Sequence, residues 1–206
     1  METIVLDGVK LNLKTRKELA LENRVYRGNA AAAGFVIPIY SNNTQQFGLW
    51  NPGTSGKIAE IFEIGLGSYI DTTGAAGGYV LGLLTNAPAQ LATGADITAF
   101  TETAPKGSLP NLVAGNKVKF GAGATLTIVG ANAVIWKHLH IVQDAFAATA
   151  AVSQAQEKGV VRFPDRTLWL PPGTACFLAG NIATLAKYAP TIEWGEHDWP
   201  LKQVVS

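Results

Sequence analysis

Two histidines and one cysteine have the types and spacing that come nearest to a reaction centre in this chain. His138 and His140 stand two apart in the apolar run Val134–Val142. In a β-strand, positions i and i+2 lie on the same face, so both imidazoles would share a side with Trp136. His-x-His is a metal-ligand spacing, and Cys176 could supply a third, softer ligand. As a nucleophile, Cys176 would need a base to lower its pKa. It lies instead in the apolar run Thr174–Leu178, where a buried, inert thiol is expected. Glu193, Glu196 and Asp198 gather near Trp194, His197 and Trp199. Calcium binding or glycoside hydrolysis would need other carboxylates converging on them, which the spacing does not supply. A C-terminal strand and tail whose tryptophans pack on a neighbour is the simpler expectation. Gly121-Ala122-Gly123 has no Lys-Ser/Thr after it, and no serine stands in a Gly-x-Ser-x-Gly turn. No catalytic, cofactor-binding or metal-ligating residue is therefore assigned, no cofactor is expected, and the chain is not read as an enzyme.

The histidine pair resembles in part that of the cupins, which carry it on a jelly-roll strand. Pro171-Pro172-Gly173 is similar to the Pro-x-Gly of their second motif. The likeness then ends. Asp144 stands at the wrong offset for the cupin glutamate, and Cys176 stands where the later histidine would fall. A cupin-like metal-binding protein using His138 and His140 is the remote alternative.

The elements that would position these groups are short and β-like. The chain has 206 residues, 16 Lys+Arg against 15 Asp+Glu, and a formal charge of +1, a balance that argues against a nucleic-acid surface. Charged residues are only 15%, below the roughly 25% of ordinary soluble domains, which points to surface hidden against copies or a partner. One cysteine excludes an intrachain disulfide, and no apolar run approaches the ~18 residues of a membrane helix. Met1-Glu2-Thr3-Ile4 does not open a secretion signal, so synthesis in the cytosol is expected. Ten runs recur between Gly/Pro/Asn turns: 35–40, 58–66, 79–84, 96–100, 117–120, 125–129, 134–142, 167–170, 174–178 and 191–194. That spacing predicts an all-β fold, an antiparallel β-sandwich or barrel. Helical signals are confined to Arg16–Glu22 and Ala145–Gln156. The long segment 86–115 suggests a functional or partner-bound loop.

Charge is uneven. Residues 1–27 hold Lys10, Lys14, Arg16, Lys17, Arg24 and Arg27 with Glu2, Asp7, Glu18 and Glu22, after which Gly28–Gly34 is rich in Ala and Gly. Residues 1–34 are read as an N-terminal arm and flexible linker, and 35–206 as the body. The alternative is that Ile4-Val5-Leu6 and the alternation Val9, Leu11, Leu13 form the body's first two strands. On the arm reading, deletion of 1–27 leaves the fold intact.

Asn51-Pro52-Gly53-Thr54-Ser55-Gly56-Lys57, the segment Phe163–Thr174 with its Pro171-Pro172-Gly173 turn, and Thr191-Ile192-Glu193-Trp194-Gly195-Glu196 follow in that order. Over residues 47–196 this resembles the small jelly-roll virion proteins of tailed bacteriophages, of the decoration (cement) or head-spike type. The resemblance implies a jelly-roll-like sandwich forming a homotrimer on the major capsid protein. The protein would be made in the host bacterial cytoplasm and placed on the virion surface, with no nucleic-acid or membrane partner. A receptor-binding or fibre module recognising host glycans is the alternative. Interface candidates are Arg16, Arg24, Tyr26, Arg27, Phe100, Trp136, His138, His140, Trp194 and Trp199.

Overall fold

A computed structural model describes residues 2–6, 9–31, 33–42, 44–69, 77–85, 97–109, 115–128, 134–143, 159–163, 168–183 and 187–199. The strands are β1 (Glu2–Leu6), β2 (Val9–Leu13), β3 (Val25–Asn29), β4 (Phe35–Val36), β5 (Thr44–Asn51), β6 (Lys57–Tyr69), β7 (Gly77–Thr85), β8 (Ile97–Phe100) and β9 (Lys106–Gly107). They continue with β10 (Lys119–Ile128), β11 (Val134–Gln143), β12 (Gly159–Arg162), β13 (Trp169–Leu170), β14 (Thr174–Gly180) and β15 (Lys187–Asp198). One short helix, α1 (Arg16–Leu21), lies between β2 and β3. The six-stranded sheet runs β11-β7-β14-β5-β10-β8 and the seven-stranded sheet centres on β12-β6-β15-β3-β9, with β13 on β6 and β4 on β15. All the strand pairings within these sheets are antiparallel, as an all-β sandwich requires.

The two sheets share one apolar layer. Phe47 and Leu49 of β5, Phe120 of β10, and Cys176 and Leu178 of β14 meet Tyr26 of β3, Ile61 and Ile64 of β6, and Ile192 and Trp194 of β15. Trp194 is its anchor, with ring centroids 5.6 Å from Tyr26 and 6.1 Å from Phe120. Burying each such side chain contributes roughly 1.5–3 kcal/mol. β14 explains why 174–178 reads as an unbroken apolar run: both of its faces are covered. Cys176 and Leu178 point into the shared layer, while Ala175, Phe177 and Ala179 lie under Tyr40, Trp50 and Phe100.

β6 and β15 form the spine of the seven-stranded sheet. Their register runs from Lys187↔Tyr69 to Asp198↔Lys57 and slips once, because Glu193 faces Glu63 but Trp194 faces Ile61. Phe62 is the extra residue of this bulge. The slip keeps Ile61 and Ile64 both inside although they are three apart. Strict alternation over 58–66 would put Phe62, Ile64 and Leu66 on one face, and it fails at Phe62. That side chain packs outside, with Leu19 and Val25.

The boundary at residue 34 is corrected. β3 lies inside the seven-stranded sheet, paired to β15 from Asn29↔Thr191 to Val25↔Gly195. α1 covers that sheet's outer face, with Leu19 fully buried. Its Thr15 accepts from the Glu18 N–H while the Glu18 carboxylate takes the Thr15 N–H, a reciprocal cap that starts the helix. The Ala/Gly stretch is not a flexible linker throughout: Gly28 belongs to β3, and Gly34 adopts φ +62° in a turn whose N–H donates to Ala31 O. β1 and β2 pair with each other in a separate two-stranded sheet, with Leu13 at the end of β2 fully buried.

Other differences follow from local chemistry. The runs 117–120 and 125–129 join in β10, which passes the left-handed Gly123 with a register shift. β5, β12 and β9 were not anticipated: β5 opens Thr44-Gln45-Gln46, and the other two are too short to show a period. Part of 86–115 is tied to the chain itself, since β9 pairs with β3, Ser108 Oγ donates to Ala20 O, and the Leu109 N–H donates to Asn23 Oδ1. Ala145–Gln156 lies outside the described residues.

Candidate functional site

The basic residues near the N-terminus and the acidic residues near the C-terminus, separate features in the sequence, are each other's partners. β15 places the Glu193 carboxylate on the outer face of the seven-stranded sheet, almost fully buried. Arg27, its neighbour on β3, donates to it at 2.6 Å, and Arg16 of α1 bonds its other oxygen. The Arg16 guanidinium also lies 5.1 Å from the Phe62 ring centroid. A carboxylate removed from water is costly, and two guanidinium groups offset that cost. Both arginines stay more than half exposed, at 54% and 58% of the side chain, so each keeps donors toward solvent.

A second chain of charges follows the end of the same strands. Lys14 reaches Glu22 at 2.5 Å, Arg24 lies between Glu22 and Asp198, and Lys57 reaches Asp198 at 2.5 Å. The Lys57 hydrogen bond foremost, with Arg24 beside it, holds the Asp198 carboxyl below the usual range. The Lys14 hydrogen bond does the same for Glu22.

Three buried polar groups brace the strand ends. His197 Nε2 lies 2.9 Å from Glu60 Oε2, both groups buried, with Trp169 of β13 at 5.2 Å between ring centroids. Glu196 accepts from the backbone N–H groups of Lys117 and Val118 and from Trp194 Nε1. Burial pushes its carboxyl up, and these hydrogen bonds pull it partly back. Asn51 Nδ2 donates to Lys57 O and Leu170 O, both at 2.8 Å. This asparagine thus closes the 51–57 turn and fastens it to β13. The sequence displayed Asn51 as a turn residue and Glu196 as part of an acidic cluster. Their partners are up to 119 positions away, so no local spacing could announce them.

The interface candidates divide. Arg16, Arg24 and Arg27 pair with this chain's own carboxylates, and Arg16 and Arg27 remain exposed as well. Tyr26 and Trp194 are core residues, which corrects their place among the interface candidates. Burial pushes the Tyr26 hydroxyl up to about 12. Phe100 lies 5.6 Å from Trp50 on the outer face of the six-stranded sheet. Trp199 is 44% exposed. On β11, His138 is exposed, while the side chains of Trp136 and His140 lie outside the described residues. The pairing of β11 with β7 shifts between Ile135 and Lys137 and again between Leu139 and Val142. The simple alternation that gave Trp136, His138 and His140 one face is therefore interrupted.

Cys176 does not join that strand in a metal site. Its thiol is enclosed in the core and burial pushes it up to about 12, whereas His138 faces solvent. Among the described residues no group of three or more His, Cys, Asp or Glu could hold a metal ion. Compared with family models, curated proteins and solved structures, the chain matches none.

Proposed function

We propose that this chain is a structural assembly protein, a homotrimeric decoration protein of jelly-roll type that seats on the major capsid protein of a tailed-bacteriophage head. The observation that carries the reading is the β1–β2 hairpin. Its register sets Ile4 opposite Leu11 and Leu6 opposite Val9 in a sheet of only two strands. Two strands alone are marginally stable in water and need a packing surface. A hairpin ahead of a closed sandwich suits an arm that reaches a neighbouring subunit. Low overall charge supports the same reading, as does the use of Glu193, Glu196 and Asp198 to fasten strands of this chain.

Sedimentation equilibrium of the full chain, with and without residues 2–13, tests it. A trimer that survives in the full chain and dissociates in the deletion variant is expected. A monomer in both overturns the trimer. Binding of the full chain to host glycans, with no affinity for capsids, would replace this reading with that of a receptor-binding module.

A further inference from the structure

A single row of charged residues crosses the whole outer face of the seven-stranded sheet. Arg162 of β12 pairs in register with Glu63 of β6, Glu63 with Glu193 of β15, Glu193 with Arg27 of β3, and Arg27 with Lys106 of β9. Directly opposed residues of a ladder share a face. With strands about 4.8 Å apart, five residues span roughly 19 Å. Arg16 adds a sixth charge from α1, so four cations face two carboxylates.

The carboxylates sit low and the cations stand high. Glu193 is 7% exposed and Glu63 27%, against 54% for Arg16, 58% for Arg27 and 78% for Arg162. Lys106 is exposed and has no ion pair among the described residues. The glutamates therefore fix the guanidinium groups, and what meets an approaching surface is a positive row. Two strand positions farther along, the same face carries Gly65 and Thr191, so the row is open on that side, while Phe62 and α1 border it on the other.

We infer that this row is a docking surface for an acidic protein surface, whose carboxylates would engage the outward donors of Arg16, Arg27, Arg162 and Lys106. Charge complementarity argues for that occupant. A nucleic acid fits less well, because the two glutamates interrupt the row where a phosphate backbone presents unbroken negative charge. The inference deepens the assembly reading by naming the face that seats on the neighbour.

The test uses the full chain and a fluorescent deca-glutamate peptide, with duplex DNA as a second probe. Saturable peptide binding at low salt, weakening as salt rises, is expected. Lys106→Gln with Arg162→Gln, neither of which touches buried Glu193, should weaken binding about five- to tenfold. Lys119→Gln on the other sheet should leave it unchanged. Absence of saturable peptide binding overturns the inference, as does equal loss in Lys119→Gln. Tighter binding of DNA than of peptide replaces the occupant with nucleic acid. The two readings fail separately: a trimer that ignores the peptide loses only the docking face, and a monomer that binds it loses only the trimer.

Discussion

Leu19 of α1 seats directly on Gly195 of β15, where a Cβ would collide with the leucine Cδ1 and with the Phe62 ring. That notch lets a six-residue helix, too short to be stable alone, close over the outer face of the sheet. Gly195→Ala should destabilise the fold by about 1–3 kcal/mol through overpacking. Leu19→Ala should cost about 2–4 kcal/mol by leaving a cavity. The double variant should lose less than the sum, since the new methyl fills part of the void. Urea unfolding of the four proteins measures the coupling. Strict additivity would show that Leu19 and Gly195 are not in contact.

Asn51→Asp should destabilise more than Asn51→Ala. The asparagine amide donates to two buried carbonyls, and a carboxylate would set negative charge against both. Alanine removes the donor at a cost of about 1–3 kcal/mol. Chemical denaturation ranks the pair, and the reverse order would remove Asn51 from its role as the fastener of the 51–57 turn.

Glu196 gives a specific pH signature. Its folded carboxyl titrates above the usual range because of burial, so the folded state holds the proton more tightly than the unfolded chain. The stability it adds is complete below the ordinary glutamate value and is lost as pH rises through the folded value. Glu196→Gln should flatten stability against pH in that window. Thermal melts at stepped pH check it, and an unchanged slope rejects the assignment.

Asp198 acts in the opposite sense. Lys57 first, then Arg24, holds its carboxyl low, so its contribution is present above the ordinary aspartate value and lost as pH falls through the folded one. The side chain is half exposed, so Asp198→Asn should cost below about 1 kcal/mol at neutral pH. The deficit relative to the parent should vanish in acid. A deficit that persists there would assign Asp198 a role other than pairing.

Trp169→Ala tests a revised magnitude. Truncating a large buried aromatic costs ~3–5 kcal/mol. Trp169 is instead partly exposed, lying over His197 at the margin of the sheet. A loss of about 1–3 kcal/mol is therefore expected in urea unfolding. A larger one would mean that the Glu60–His197 pair fails with it.

The sandwich was legible because its strands are short apolar runs bounded by turn residues. β6, β7, β11 and β14 overlap runs read between turn residues. Cys176 was legible for the same reason, as a thiol in an apolar strand. The charges of 14–27 were visible, but they looked like a solvated arm because their partners, Glu193 and Asp198, lie about 170 residues on. β3 was hidden likewise. Val25-Tyr26-Arg27-Gly28-Asn29 is too polar to read as an interior strand until Arg27 is known to face Glu193 and Gly28 the Phe120 ring. The bulge at Phe62 shows what pattern reading lacks: one inserted residue reverses every later facing, and only the partner strand reveals it.

The pairing of β3 and β6 with β15 also sets a timetable for synthesis. Val25–Asn29 leaves the ribosome early, yet the strand it needs comes last. Through most of translation the early strands have no β15 to join, and their edges stay open to any other extended chain. Completion of this sheet must wait for β15, which follows every other described strand. A message cut short before codon 187 would yield a polypeptide with half a sandwich and the wrong neighbours within reach.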